Sequence, residues 1–291
     1  MTARAGTTPA ILLVIAGLAC QEVGASLAVL LFHAVGPLGM VMLRLMFSAV
    51  LLLAIARPRV RGHNRAAWMA VLAFGLVLAV MNGLFYLALE RLPLGVTVTI
   101  EVLGPLVLSI IASRRASAWL WALLALAGVF ALGGGGWGDL DPLGVVFALG
   151  AAASWAFYIL SSARVGRVFP KLDGLALAMT AGAILSLPFG IADAGAALLR
   201  WDILALGAAV AILSSMIPYG FELVALRRLP AASFAILMSL APATAALAGF
   251  IFLSQELSLI ELAGIGLVIA ASIGAVSSSG RAAREAAEPI A

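Results

Sequence analysis

Charge is the scarcest thing in this sequence. Of its 291 residues only 10% are Asp, Glu, Lys or Arg, whereas 64% are hydrophobic and the mean hydropathy is +1.19. Soluble domains carry about a quarter charged residues, so a water-exposed globule is excluded: no polar shell of this size covers that much apolar surface. Cysteine is nearly absent. Cys20 stands alone, so no intrachain disulfide forms and the sequence gives no redox compartment. With His33 and His63 the only histidines, a Cys/His metal cluster is not available, and no metal or other cofactor is expected. The net charge of +4 and pI near 10.0 do not indicate a nucleic-acid partner, because the basic residues sit in short loops and not on one face or tail.

Apolar runs are what the chain has instead. Arg4 and the run ending at Ala19 and Cys20 superficially resemble a secretion or lipoprotein signal. That run continues through Gln21 to Phe32, long enough to span a membrane, and nine further apolar segments follow. Breaks at charges and at Pro/Gly clusters give spans of roughly 10–33, 37–56, 66–88, 94–113, 117–135, 142–161, 173–192, 203–224, 231–253 and 258–278. The loops are very short, and a frayed polar tail is expected from Ser277 onward, with Arg281, Arg284, Glu285 and Glu288. Cytoplasmic loops retain positive charge during insertion. Basic residues follow the even-numbered spans: Arg57/Arg59/Arg61/Arg65, Arg114/Arg115, Arg164/Arg167/Lys171 and Arg227/Arg228. The loops after the fifth and ninth spans carry Asp139/Asp141 and Glu256, which places both termini in the cytoplasm; Glu90-Arg91 and the Asp193/Arg200/Asp202 region fit the outer side.

The stretch Ala88 to Pro93 (ALERLP) is matched by Ala225 to Pro230 (ALRRLP), and Pro105 and Pro242 each lie twelve residues after those prolines. Two copies of five spans each must enter the membrane in opposite senses, because five is odd. The fold expected is therefore all-α and integral to the membrane, with ten transmembrane helices as two inverted five-helix repeats. The repeats occupy 10–135 and 142–278, followed by a cytoplasmic tail at 279–291. Inverted repeats commonly set a binding site near the midplane between the halves and permit alternating access; the plain alternative is a duplication that only builds a stable bundle.

Polar groups inside a span are costly and usually face a cavity or the bundle interior. The fourth span places Thr97, Glu101 and Pro105 on one face, and the proline frees a carbonyl. The third places Asn82 and Tyr86 on a stripe with Gly75 and Ala79, and Asn82-Gly83 corresponds to Tyr219-Gly220 under the repeat. The eighth offers Ser215, Tyr219 and Glu222; the sixth offers Ser154, Tyr158 and Ser161 beside Trp155; the first puts Gln21 and Glu22 near mid-span. Arg44 and Glu101 lie at matched depths of roughly 10 Å by helical rise. Two readings stay open for them: a structural staple between helices, or a pair that holds the charged ends of a zwitterion. Glu22 has no obvious partner at its depth. Glu222 lies near the cytoplasmic end, where a snorkelling role is the plain one. Trp155, Tyr158 and Tyr219 suit cation–π contact with an ammonium or plain packing. The run Gly133 to Gly136 lacks the lysine of a phosphate loop and reads as an outer loop. No nucleophile and base stand together, which argues against an enzyme.

On these residues the chain resembles the drug/metabolite transporter superfamily, in its two-repeat EamA branch. The likeness is carried by 24–28 (GASLA), Leu43-Arg44, Met81-Asn82 with 84–87 (LFYL), 93–95 (PLG), Glu101 with 104–106 (GPL), 113–115 (SRR), Trp155-Ala156 with 158–161 (YILS), 211–214 (AILS) and Pro218-Tyr219. It covers nearly all of 10–278 and is strongest toward the threonine/homoserine exporter group, with the aromatic amino acid exporter group a near relative. Glu22 departs from that group's pattern, which has a small residue there. The resemblance implies an amino acid exporter in a bacterial inner membrane, working by alternating access as a monomer. Its partners would be the lipid bilayer, a neutral amino acid and, in a coupled mechanism, protons carried on Glu101 or Glu22. The alternative is a drug or metabolite efflux carrier of the same superfamily; a nucleotide carrier would need more cavity cations than Arg44. The candidate substrate-binding set is Gln21, Glu22, Arg44, Asn82, Tyr86, Thr97, Glu101, Trp155, Tyr158, Ser215 and Tyr219.

Overall fold

The computed structural model describes residues 7–113, 117–132, 140–229 and 231–287, and these form helices joined by short turns, with no strand among them. Arg4, Arg114-Arg115, the glycine run 133–136, Asp139, Pro230 and Glu288 lie outside the described residues. Eight helices are long and apolar enough to cross a membrane, and a shorter apolar helix covers Trp119–Leu132. Large apolar side chains such as Leu12, Val50, Phe157, Phe189 and Phe250 face outward from the bundle. Such a surface is unfavourable in water and suits lipid. The chain is a multi-pass membrane protein.

The first helix, α1 (Thr7–Ala56), has 50 residues. Drawn straight it would be about 75 Å long, against a hydrocarbon core of about 30 Å. It does not run straight, because Gly36 takes φ 67° and ψ 165° and Pro37 opens a second limb. The break falls between the first two spans expected from sequence. Asp193, near the end of α7, completes it: its Oδ2 accepts from the backbone N–H groups of Leu38 (2.8 Å) and Gly39 (3.2 Å). A helix start leaves those donors unsatisfied, so a remote carboxylate serves as the N-cap. A Cβ on residue 36 would overlap the Asp193 carboxylate as well as strain the backbone.

The remaining helices are α2 (Arg65–Leu89), α3 (Leu94–Glu101), α4 (Leu103–Ser113), α5 (Ser117–Leu132), α6 (Pro142–Gly166), α7 (Asp173–Ala194), α8 (Trp201–Ala211), α9 (Ile217–Leu226), α10 (Ala231–Met238), α11 (Ala241–Leu253) and α12 (Leu259–Ala287). Three spans expected as continuous are interrupted. Between α3 and α4 the break is at Val102, just before Pro105; between α10 and α11 it precedes Pro242; between α8 and α9 a π-turn covers Ile212–Met216 just before Pro218. Proline lacks the N–H of the i to i−4 ladder and crowds the preceding turn, so the helix opens there. At the C-terminus the frayed tail expected from Ser277 is instead helical to Ala287, since its Ala, Arg and Glu residues are strong helix formers.

A shift of 137 residues carries Pro93 onto Pro230. The same shift carries the bounds of α3 onto those of α10, and the end of α2 onto the end of α9. The second limb of α1 falls on α7 in the same way, to within a residue at the end. Packing follows this register: α3 lies against α11, α1 against α7, α5 against α12, and α2 against α6 as α9 lies against α1.

Candidate functional site

Where α1, α2, α3, α6, α9, α10 and the π-turn converge, they enclose a partly closed cavity of about 160 Å³. Arg44, on the second limb of α1, is fixed from three sides. Its Nη2 donates to the Ser214 carbonyl (3.2 Å), its Nε to Ser215 Oγ (3.5 Å) and its Nη1 to Tyr86 Oη (3.4 Å). The first bond has a sequence cause: four residues after Ser214 stands Pro218, which has no N–H to give, so the Ser214 carbonyl is free for the guanidinium. The Arg44 guanidinium carbon lies 5.7 Å from the centroid of the Tyr86 ring, a cation–π distance. Tyr86 is wholly buried and leans on Phe32 and Phe85, so the charge sits on a rigid base.

Three carboxyl groups share the cavity wall with this one guanidinium: Glu22, Glu101 and Glu222. No direct ion pair within 4.0 Å joins Arg44 to any of them; the ion pairs among the described residues are Arg91–Asp141 and Arg200–Asp202. Glu22 is 1% exposed, and neither of its carboxyl oxygens has a hydrogen-bond partner among the described residues. Glu101 ends α3 at the break, and Pro105 removes the donor that would otherwise reach its carbonyl. Asn82 gives its amide to the Leu78 carbonyl (2.8 Å), which leaves Oδ1 as an acceptor. A guanidinium and three carboxyl groups held apart in one pocket, with no direct ion pair among them, suit a ligand that carries both signs.

Of the eleven residues singled out from sequence, Gln21, Glu22, Arg44, Asn82, Glu101, Trp155, Tyr158 and Tyr219 line this one cavity. Tyr86 and Ser215 stand behind Arg44 and hold it. Thr97 is fully buried with its hydroxyl committed to the Pro93 carbonyl (3.0 Å), and it does not reach the cavity. Glu222, assigned from sequence to the cytoplasmic end of its helix, is on the cavity wall. It shares a helix face with Tyr219, three residues earlier, which lines the same cavity. Ser214, Phe85, Val98 and Met238 also line the cavity without having been singled out. Met238 was findable, as the repeat mate of Glu101.

Comparison with known proteins gives the following matches. Residues 142–277 match the EamA-like transporter family. The threonine/homoserine exporter RhtA of Escherichia coli (strain K12) is 40% identical over 268 residues, covering 91% of this chain and 90% of that protein. RhtA of Salmonella typhimurium (strain LT2) matches with the same identity and coverage. The uncharacterized transporter YvbV of Bacillus subtilis is 27% identical over 270 residues. A solved crystal structure, described only as that of a protein, superposes with a TM-score of 0.64 at 20% identity, over 94% of this chain and 98% of the other. That last likeness concerns the fold alone.

Proposed function

This chain belongs to the EamA-like transporter family, and on that premise we propose that it exports small neutral amino acids, of the threonine and homoserine kind, across a bacterial inner membrane. The family is one of transporters and not enzymes. The observation that carries the substrate reading is the unneutralised Arg44 in one cavity with Glu22, Glu101 and Glu222. A zwitterionic amino acid presents a carboxylate to the guanidinium and an ammonium to a carboxylate, and each contact is a charge-assisted hydrogen bond.

Size selects within the amino acids. Protein cavities of about 150 Å³ accept benzene; at about 160 Å³ this site is filled by a zwitterion with a side chain of two or three heavy atoms. An aromatic side chain would need more of this partly open cavity than a small one does. That favours the small-substrate reading over the aromatic exporters and over drug efflux.

The transport reading rests on two inverted repeats. The limbs of α1 count as two spans and α5 as one, which makes ten, and the shared boundaries under the shift of 137 residues support five in each half. The basic loops support cytoplasmic termini. Alternating access then exchanges the two half-conformations around the cavity in a single monomer, and proton coupling would employ the cavity carboxyls. The direct test is counterflow in proteoliposomes with labelled threonine, homoserine, valine and phenylalanine and one cationic drug. Threonine and homoserine should exchange well above protein-free vesicles and phenylalanine poorly. Exchange of the drug alone would discard the amino acid reading.

A further inference from the structure

A second cavity of about 260 Å³ lies beside the first, and the two have only Trp155 and Met238 in common. It is bounded by α4, α6, α10 and α12. Both helix-break residues, Val102 and Ser239, are on its wall together with Pro105. Otherwise the wall is apolar apart from hydroxyls at Ser109, Ser239 and Ser272. Ser239 donates to the Ala235 carbonyl (3.0 Å). Ser272 is 5% exposed, and its hydroxyl has no hydrogen-bond partner among the described residues. A buried hydroxyl without a partner is unfavourable, and a turn of its side chain into the chamber would let a polar ligand satisfy it.

The position of the chamber also has meaning. From Val102, α4 descends toward Arg114-Arg115; α10 starts just after Arg227-Arg228; and Val276 on α12 precedes Arg281. All three elements lead to the basic loops, and by the charge rule that is the cytoplasmic face, from which an exporter loads. The wall between chamber and site is one indole and one thioether. Neither side chain makes a hydrogen bond given for the described residues. Methionine repacks at low cost, and Met238 ends α10 at the break before Pro242, a backbone able to hinge.

We infer that Trp155 and Met238 form the cytoplasmic gate of the transporter, and that the chamber beneath them is an entry subsite in which serine hydroxyls hold the small amino acid before it reaches Arg44. The assignment of the ligand rests on the export reading above; the gate itself does not. In the exchange, the thin partition moves aside and the substrate passes from hydroxyl contacts to full charge pairing.

The test uses the full-length protein in inside-out vesicles, with Cys20→Ser as background and either Ser109→Cys in the chamber or Val98→Cys in the central cavity. A membrane-impermeant thiol reagent added to the cytoplasmic face should modify Ser109→Cys about tenfold faster than Val98→Cys. Adding Trp155→Ala should raise the rate at Val98→Cys about tenfold and leave Ser109→Cys unchanged. Met238→Ala, which removes the partition from the other helix, should do the same if Trp155→Ala fails to fold. Threonine should slow modification at both sites. Reaction of Ser109→Cys with lipid-soluble maleimides only would show a crevice open to lipid and overturn the proposal. So would an unchanged Val98→Cys rate in both wall variants. If the wall variants behave as expected but no amino acid slows labelling, the gate stands and the export reading falls.

Discussion

Under the shift of 137 residues, four pairs of mates line the central cavity: Gln21 with Tyr158, Asn82 with Tyr219, Phe85 with Glu222, and Glu101 with Met238. In each pair the backbone position is shared and the chemistry is not. Within these pairs the carboxyls are Glu101 on α3 and Glu222 on α9, and their mates are a thioether and a ring. Arg44 is more one-sided still, for its mate is Ala181. The difference separates two demands. Exchange between states needs backbones that take up one another's shapes, which constrains helix lengths, prolines and close approaches. Recognition needs one set of charges at one place, which leaves the side chains of the mates free to diverge.

The largest expected effect comes from removing the one cation that lines the cavity. Arg44→Gln should bring threonine counterflow to background, and Arg44→Lys should not rescue it, because a single ammonium cannot serve the Ser214 carbonyl, Ser215 and Tyr86 together. Transport by Arg44→Lys at the unmutated rate would mean that cavity charge alone suffices. Next is Glu101→Gln, which should lower counterflow by about ten- to a hundredfold, the value of one charge-assisted contact, with the melting temperature nearly unchanged. That separation of effects follows from the absence of a direct Arg44–Glu101 bridge; a buried ion pair broken by the substitution would cost about 3–5 kcal/mol and melt early. Early melting of purified Glu101→Gln would restore the staple reading.

A smaller effect probes the backbone instead of the charges. Gly24, on the first limb of α1, crosses the π-turn so closely that a Cβ would overlap Ser214 Oγ. Its mate, Ser161, already carries a side chain. Gly24→Ala should therefore destabilise by about 1–3 kcal/mol through overpacking, whereas Ser161→Ala should be near neutral. Equal melting of the two would show that α1 yields at this crossing and that the halves pack alike.

Much of this was legible before any coordinates. Apolar runs and short loops gave an all-helical membrane bundle, since the bilayer imposes one length on the helices that cross it. The ALERLP and ALRRLP stretches supplied the register on which α3 and α10 coincide. Eight of the eleven residues singled out line one cavity, because polar atoms inside a span need a reason. Illegible were the features that depend on geometry: the depth at which Glu222 meets the cavity, the Thr97 hydroxyl turned back on its own helix, and the depth at which Tyr86 stands behind Arg44. Prolines at 105, 218 and 242 announced that backbone would open, but not which side chain would gain from it.

The smallest expected effect lies at the surface, where the halves differ again. Arg91 Nη1 meets Asp141 Oδ2 at 2.9 Å, tying the turn after α2 to the start of α6, while its mate Arg228 makes no ion pair among the described residues. Asp141 also caps α6, accepting from the backbone N–H groups of Leu143 (2.8 Å) and Gly144 (3.3 Å). The Arg91 hydrogen bond, and behind it those two backbone donors, hold the Asp141 carboxyl below its ordinary value of 3.8. A carboxyl whose value is lower folded than unfolded contributes stability that is fully present above the unfolded value and is lost as pH falls through the folded one. Asp141→Asn should consequently melt slightly below the parent at neutral pH, and the gap should close only as pH drops below about 4. Both groups are about a third exposed, so salt should narrow the gap too. Arg228→Ala, lacking such a bridge, should show neither dependence. A gap that widens in acid would contradict the sign, and an equal response in Arg228→Ala would show that the asymmetry between the two arginines has no energetic consequence.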